Sequence, residues 1–344
     1  MSPNEILTAY RMRLKRRRLL WRSFRARRQL HAICDRTGLL QRDMVLAVCV
    51  LRNELTRLPF FLQHYRALGV GHFLCVDNNS DDGSADYLAT QPDVSLWSTP
   101  ASYRDARFGL DWLTYLQMKY AVGHWCLMAD VDELLVYKDY ETRDLADLTL
   151  WLDGQGIDAF GALMLDLYPK GALSKGIYRP GQNPTEVLSW FDPGPFRASR
   201  QFPLQNLWVQ GGARERMFFQ DRPQRSPTLN KLPLVKWQRG YAYVNSCHSM
   251  LPPKMNHSYD GPGGLHPSGV LLHTKFLPEA VSKSETEKQR AQHFHTPADF
   301  NDYYDKLIAD PVLLHQGSVR YQGPTQLEKL GLMHGGGWET TRKS

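Results

Sequence analysis

The sequence predicts an α/β fold, a mostly parallel sheet with helices on both faces. Three observations carry that expectation. Four strand-length apolar runs, residues 44–51, 73–76, 94–97 and 125–129, alternate with segments of helical periodicity. The runs are apolar almost throughout, as strands covered on both sides are. Three of them end in polar clusters, and an open parallel sheet holds its ligand at the carboxyl ends of its strands.

Ahead of the first run lies a basic arm, residues 1–41. Between Arg11 and Arg28 stand ten cations and no acidic residue, enough to account for the chain's net charge of +7. Tyr10, Leu14, Leu20, Trp21 and Phe24 fall within a third of a helical turn, with Arg13, Arg17 and Arg28 in the same arc. Aromatic anchors among arginines suit an amphipathic helix lying on an anionic membrane surface through residues 10–30; a solvated arm packed on its own domain is the plainer alternative. The basicity is local, so nucleic acid is not an expected partner.

From residue 44 the elements follow closely. Leu55, Leu58, Phe61, Leu62, Tyr65 and Leu68 give a helix that Gly69 and Gly71 end. The second strand stops at Asp77, Asn78, Asn79 and Ser80, and Asp81 and Asp82 are placed to cap the short helix that follows. The third strand leads through 101–107 into a helix over about 108–122, and the fourth runs straight into Asp130, Val131, Asp132 and Glu133. This order calls for right-handed crossovers. Another strand is expected over 160–167, then a Gly-, Pro- and Arg-rich half with short strands at 232–237, 242–244 and 270–273. Two or three helices should fill 278–332, and the residues from His334 onward read as a loose tail. The expected organisation is a 1–41 arm, a 42–277 domain whose halves meet at 150, and a 278–344 helical extension and tail.

Composition narrows the class. No apolar run approaches the ~20 residues that cross a bilayer. Without a recognisable export signal the expected compartment is the cytoplasm, with peripheral attachment to the inner face of the plasma membrane. Five cysteines without C-x-x-C spacing read as reduced core thiols, not as disulfides or a zinc site.

The chemistry points to the strand ends. Asp130 and Asp132 flank one small residue directly after a buried strand, giving oxygen ligands to a hard divalent cation that can also bridge a diphosphate. Mn2+ or Mg2+ suits such oxygens better than zinc. Neither glycine-rich phosphate loop stands at the first strand-to-helix turn, so a nucleotide diphosphate must be held by metal and side chains.

Arg52, Asn53 and Glu54 after the first strand, FLCVDNNSDDGS over 73–84, and D-x-D-E at 130–133 together resemble the nucleotide-binding half of family 2-type bacterial glycosyltransferases with the GT-A (Rossmann-like) fold. The similarity continues through 164–169, 211–216, 231–237 and 271–276. It implies a hexosyltransferase-type enzyme that moves a sugar from a UDP- or GDP-linked donor to a hydroxyl of a glycan or lipid-linked acceptor. Inversion and a place in surface polysaccharide or lipopolysaccharide synthesis go with it. Carried over, Asp77 with Asn79 beside it meets the nucleoside, while Arg52, Asn53 and Glu54 line the base or ribose pocket. Asp130 faces ribose and metal, and Asp132 is the principal metal ligand. His273 is the chosen third ligand, with His248 as its rival; Lys275 and Arg214, the latter with Arg216, would meet the diphosphate or an anionic acceptor. Asp166 and Glu215, and behind them Asp192, are the candidates for the base that deprotonates the acceptor. A sugar nucleotidyltransferase would need a glycine-rich loop after the first strand, and a dehalogenase-like phosphatase would carry the acidic pair there. A non-catalytic sugar-nucleotide- or membrane-binding module would keep the fold without turnover.

Overall fold

In the computed structural model, which describes residues 2–290 and 301–338, nine strands form one sheet. In chain order they are β1 (His31–Cys34), β2 (Val45–Leu51), β3 (Val70–Asp77), β4 (Val94–Ser98), β5 (Trp125–Met128), β6 (Glu133–Val136), β7 (Ala159–Asp166), β8 (Asn230–Lys236) and β9 (Ser268–His273). Their spatial order is β1-β4-β3-β2-β5-β8-β7-β9-β6. β4, β3, β2 and β5 pair in parallel, β8 is antiparallel to both its neighbours, and β9 pairs with β7 in parallel again. The edge strands β1 and β6 run antiparallel. Six of the nine strands therefore share one direction, and the expected α/β sheet is the one that forms.

The two-sided burial of β2 shows why. Leu46, Val48 and Val50 enter one core and Val45, Ala47, Cys49 and Leu51 the other, because side chains alternate between faces along a strand. Both faces then need cover. Of the helices α1 (Pro3–Ala26), α2 (Leu58–Ala67), α3 (Ser84–Ala89), α4 (Leu110–Tyr120) and α5 (Leu145–Gly154), the packing of α4 closes the first face and that of α2, α3 and α5 the second. Gly69, at φ +85°, ends α2 in the left-handed region that a glycine enters without strain.

The second half departs from the sequence reading in places. The acidic cluster does not simply end a strand: Glu133 opens β6, which returns antiparallel along β9. Residues 196–211 form a hairpin, Phe196–Gln201 against Asn206–Gly211, that hydropathy alone had not marked. Arg214 and Arg216 lie on helix α6 (Gly212–Phe218), which the Gly-, Pro- and Arg-rich composition of this half did not announce. The C-terminal extension supplies α7 (Ala280–Arg290), α8 (Asn301–Ile308) and α9 (Pro324–Lys329).

Residues 334–338 are not loose. Trp338 is buried, its ring beneath the Arg143 guanidinium at 3.3 Å from the centroid and edge-on to Trp151, and its Nε1 donates to the Lys138 carbonyl at 3.2 Å. The rest of the expected tail, 339–344, lies outside the described residues. Among the described residues no helix is long and apolar enough to cross a membrane.

Trp338→Ala should lower the stability to unfolding by about 3 kcal/mol, the usual cost of emptying a buried aromatic site. Urea unfolding checks it; an unchanged midpoint would restore the loose-tail reading.

Candidate active site

Sheet register assembles the site. β6 and β9 place Glu133 opposite His273, and β9 and β7 place His273 opposite Asp166, so three polar residues form one row across adjacent strands. Directly paired residues point to the same face. Just before β6, the Asp132 carbonyl accepts from the Thr274 N–H at 2.7 Å and from its hydroxyl at 3.0 Å, fixing the acidic turn against the end of β9.

At the centre is His273. Its Nδ1 lies 2.6 Å from Asp166 Oδ1 and its Nε2 3.3 Å from Asp132 Oδ2. The other Asp166 oxygen accepts from Arg214 Nε at 2.7 Å. Asp166, Arg214 and His273 are buried, whereas the Asp132 side chain keeps 27% of its surface exposed and so opens the group to solvent. One ligand atom each from Asp132, Glu133 and His273 lies within 4.8 Å of the others, which is the spacing a single cation needs.

The charges hold one another in place. Burial alone would lower the His273 pKa, but Asp132 and Asp166 outweigh it and raise the value above its ordinary one. Burial alone would raise Asp132; His273, with Arg57 and Lys275 nearby, instead holds it well below the usual carboxylate range. Burial likewise opposes the ionised Asp166, and Arg214 and His273 bring it down. Beside this group Lys231 reaches Asp130 Oδ2 at 3.1 Å and also bonds to Glu133. Burial works against the buried ammonium, and Asp130 and Glu133 raise its pKa well above normal. Burial, reinforced by Asp130 and Asp132, pushes Glu133 up to about 7.

The other strand ends are organised around Asp77. It is buried, its Oδ2 accepts from the Ser80 N–H at 3.0 Å, and its Oδ1 has no hydrogen-bond partner. Asn78 fixes the neighbouring loop through 2.9 Å bonds to the Thr99 and Ala101 carbonyls. Asn53 pins the 78–82 loop, exchanging bonds of 2.8 and 2.9 Å with Asp81. Arg52 donates to the Asn78 carbonyl at 3.3 Å, and Asn79 is exposed at the rim. Asp82 accepts from the Leu55 N–H at 3.0 Å and from the Ser84 N–H, which opens α3, at 2.9 Å; the cap position itself is Gly83, and Asp81 does not cap but pairs with Asn53. Glu54 pairs with Arg57 at 2.7 Å and Lys283 at 2.9 Å.

The remaining candidates lie apart. Glu215 is bound by Arg197 and by the Ser226 hydroxyl at 2.7 Å, and Asp192 by Arg216 at 2.8 Å, His315 at 3.2 Å and the Tyr168 hydroxyl. The Nδ1 of His248 meets the Asn230 carbonyl, and burial with the nearby Lys231 lowers its pKa to about 3, which leaves a neutral ring. Lys275 sits 5.9 Å from the Tyr303 ring centroid, and its charge adds a little to the lowering of Asp132. A separate cleft of about 310 Å³ opens beyond the edge strand β6 against Phe60, His64, Tyr140 and Tyr321; it includes none of Asp77, Asp130, Asp132 or Asp166.

Two cations escaped the sequence reading. Lys231 stands at the head of the apolar strand β8 yet is buried with it, and Arg57, buried between Glu54 and Glu279, sits three residues after Glu54 on the apolar side of α2's entry. A charge inside an apolar period was the available signal in both cases.

No protein-family model matches the chain, and neither does any curated protein. Among solved structures it is similar to a mannosyltransferase from Pyrobaculum calidifontis in complex with GDP-Man and Mn2+, at 17% identity and a TM-score of 0.28 over 46% of this chain and 47% of that one. The chain thus spans about half the length of that relative. A UDP-glucose pyrophosphorylase from Acinetobacter baumannii matches at 11% identity and a TM-score of 0.27, over 54% of this chain and 85% of that one. These overlaps are partial, and the fold rests on the strand order itself.

Lys231→Met leaves Asp130 and Glu133 without their counter-ion and should cost roughly 3–5 kcal/mol. Adding Glu133→Gln should recover part of that loss, read from urea midpoints of the single and double variants. In metal-free protein the stability due to His273 is complete below its ordinary pKa of 6.5 and is lost as pH rises through the raised native value. The melting temperature should therefore decline above pH 6.5, and His273→Gln should flatten that decline.

Proposed function

We propose that the chain is a metal-dependent glycosyltransferase that moves a sugar from a UDP- or GDP-linked donor to a hydroxyl of a glycan or lipid-linked acceptor. The observation that supports it most is the Asp132, Glu133 and His273 group at the carboxyl end of the sheet, backed by Asp166. Two carboxylates and an imidazole suit Mn2+ or Mg2+. Asp166 accepts from Nδ1 of His273, which leaves Nε2 to face a cation and makes Asp166 a positioning residue for its ligand. Bound there, the metal would neutralise charge on a departing diphosphate.

The chain's own residues have these parts. Asp132, the exposed member, would lead the metal contacts. Lys231 holds Asp130 and Glu133 and keeps the acidic turn from repelling itself. The unpartnered Oδ1 of Asp77 is ready to accept an N–H or O–H from a nucleoside. Lys275 and the rim residues Arg52 and Asn79 would meet phosphate and ribose. Direct displacement with inversion fits the reading, and the acceptor's proton then needs a carboxylate base. Asp166 and Glu215 are each already ion-paired, so a base role for either requires the acceptor to displace its cation. Residues 52–57 contain no glycine, which removes the backbone cradle a nucleotidyltransferase would use for a triphosphate.

The deciding measurement is a thermal-shift panel with UDP, GDP, CDP and ADP, with and without Mn2+, on the native chain and on Asp132→Ala. One diphosphate at about 100 times its Kd should add about 2.7 kcal/mol of stability, only with Mn2+ and not in Asp132→Ala. Asp166→Asn should weaken Mn2+ binding roughly 10- to 100-fold while the fold persists. No metal-dependent shift with any diphosphate would overturn the proposal. Binding without donor turnover would replace it with the non-catalytic module, and consumption of a nucleoside triphosphate with a sugar phosphate would replace it with the nucleotidyltransferase.

A further inference from the structure

Helix α1 has two distinct faces. Leu19, Ser23 and Ala26 are buried on the domain, and Met12 and Leu20 pack beside them against Leu204 and residues 242–251. Arg22 fastens this side, pairing with Asp111 at 3.1 Å and donating to the Asp105 carbonyl at 2.9 Å. Leu20 thus belongs to the inner side. On a 3.6-residue period, Ile6, Tyr10, Leu14, Trp21 and Phe24 lie directly opposite, and all are exposed, Trp21 at 60%. Trp21 and Phe24 stack on each other at 5.8 Å between centroids, with Arg27 over Phe24. Arg13 and Arg17 share this outer side and Arg11, Arg18 and Arg25 border it, while Arg28 is exposed in the 3-10 turn that follows the helix. The N-terminus is secured by a Ser2–Glu5 capping box, so the helix is complete without a partner.

We infer that this outer face lies on an anionic lipid surface. An apolar and aromatic stripe edged by cations is what an interfacial helix presents, the rings entering the boundary of headgroup and acyl chain while the arginines meet phosphates. A second copy of this chain is a poor occupant, since a two-fold contact would set one cationic stretch against another. Nucleic acid offers the arginines phosphates but gives the aliphatic side chains no layer to enter. Arg22 docks α1 on Asp111 in the first turn of α4 and on the Asp105 carbonyl in the loop that leaves the carboxyl end of β4, so the lipid-facing helix is anchored at the same end of the sheet as the acidic cluster. This surface stands independently of which reaction the site performs.

The test is co-sedimentation of the full chain with vesicles of phosphatidylcholine alone or mixed with phosphatidylglycerol. The native chain should bind the mixed vesicles and not the neutral ones, less at high salt. Tyr10→Ser with Trp21→Ser, and separately Arg13→Glu with Arg17→Glu, should each weaken binding at least tenfold, with unchanged circular dichroism and melting temperature because all four positions are exposed. No binding, equal binding to neutral vesicles, or native binding by both variants would overturn the inference. So would a dimer in sedimentation velocity that Trp21→Ser dissociates.

Discussion

His273 is held at both ring nitrogens by carboxylates, and neither its burial nor theirs would be tolerable alone. Three carboxylates around it are each balanced by a neighbour from a different element: Asp166 on β7 by Arg214 on α6, Glu133 on β6 by Lys231 on β8, and Asp132 in the acidic turn by His273 on β9. Register makes this possible. Had β9 slipped by one residue against β7, His273 would face the opposite side of the sheet and Asp132 and Asp166 would lose their shared imidazole. The charge network and the strand pairing therefore specify each other.

One consequence concerns the two halves of the chain. The acidic turn comes from the part of the chain before residue 150, whereas Asp166, Arg214, Lys231 and His273 all come from the later part. Arg57 extends the same logic to the C-terminal extension, bridging Glu54 and Glu279 at 2.7 and 3.3 Å. The site is thus completed only when distant segments have packed, and its carboxylates repel one another until then.

This long-range dependence also explains what the sequence could and could not disclose. The runs at 44–51 and 125–129 are so continuously apolar that only a sheet covered on both faces accommodates them, and the acidic residues that end them stand out by contrast. Asp77, Asp130 and Asp132 were legible for that reason. Lys231 was not, because a lysine in a strand is ordinarily solvent-facing and its partners lie about a hundred positions earlier in the chain. Asp166 looked like a free base, because nothing in its vicinity announces Arg214 and His273. Trp338 read as tail because its burial depends on Arg143 and Trp151, far away in sequence. The helical character of 212–218 was masked by the two glycines that open it.

The charge asymmetry of the chain now has a structural sense. The buried network is nearly self-compensating, so the domain has little use for ten extra cations. They are confined to residues 11–28: Arg22 pairs with Asp111 on the inner side of α1, and most of the others lie on or beside its stripe of exposed aromatic and aliphatic side chains. A helix needing only to cover α4 would gain nothing from Trp21 and Phe24 on its far side. Their outward placement leaves the outer side of α1 unpaired with the domain, while its inner side is fastened at the end of the sheet that carries the acidic cluster.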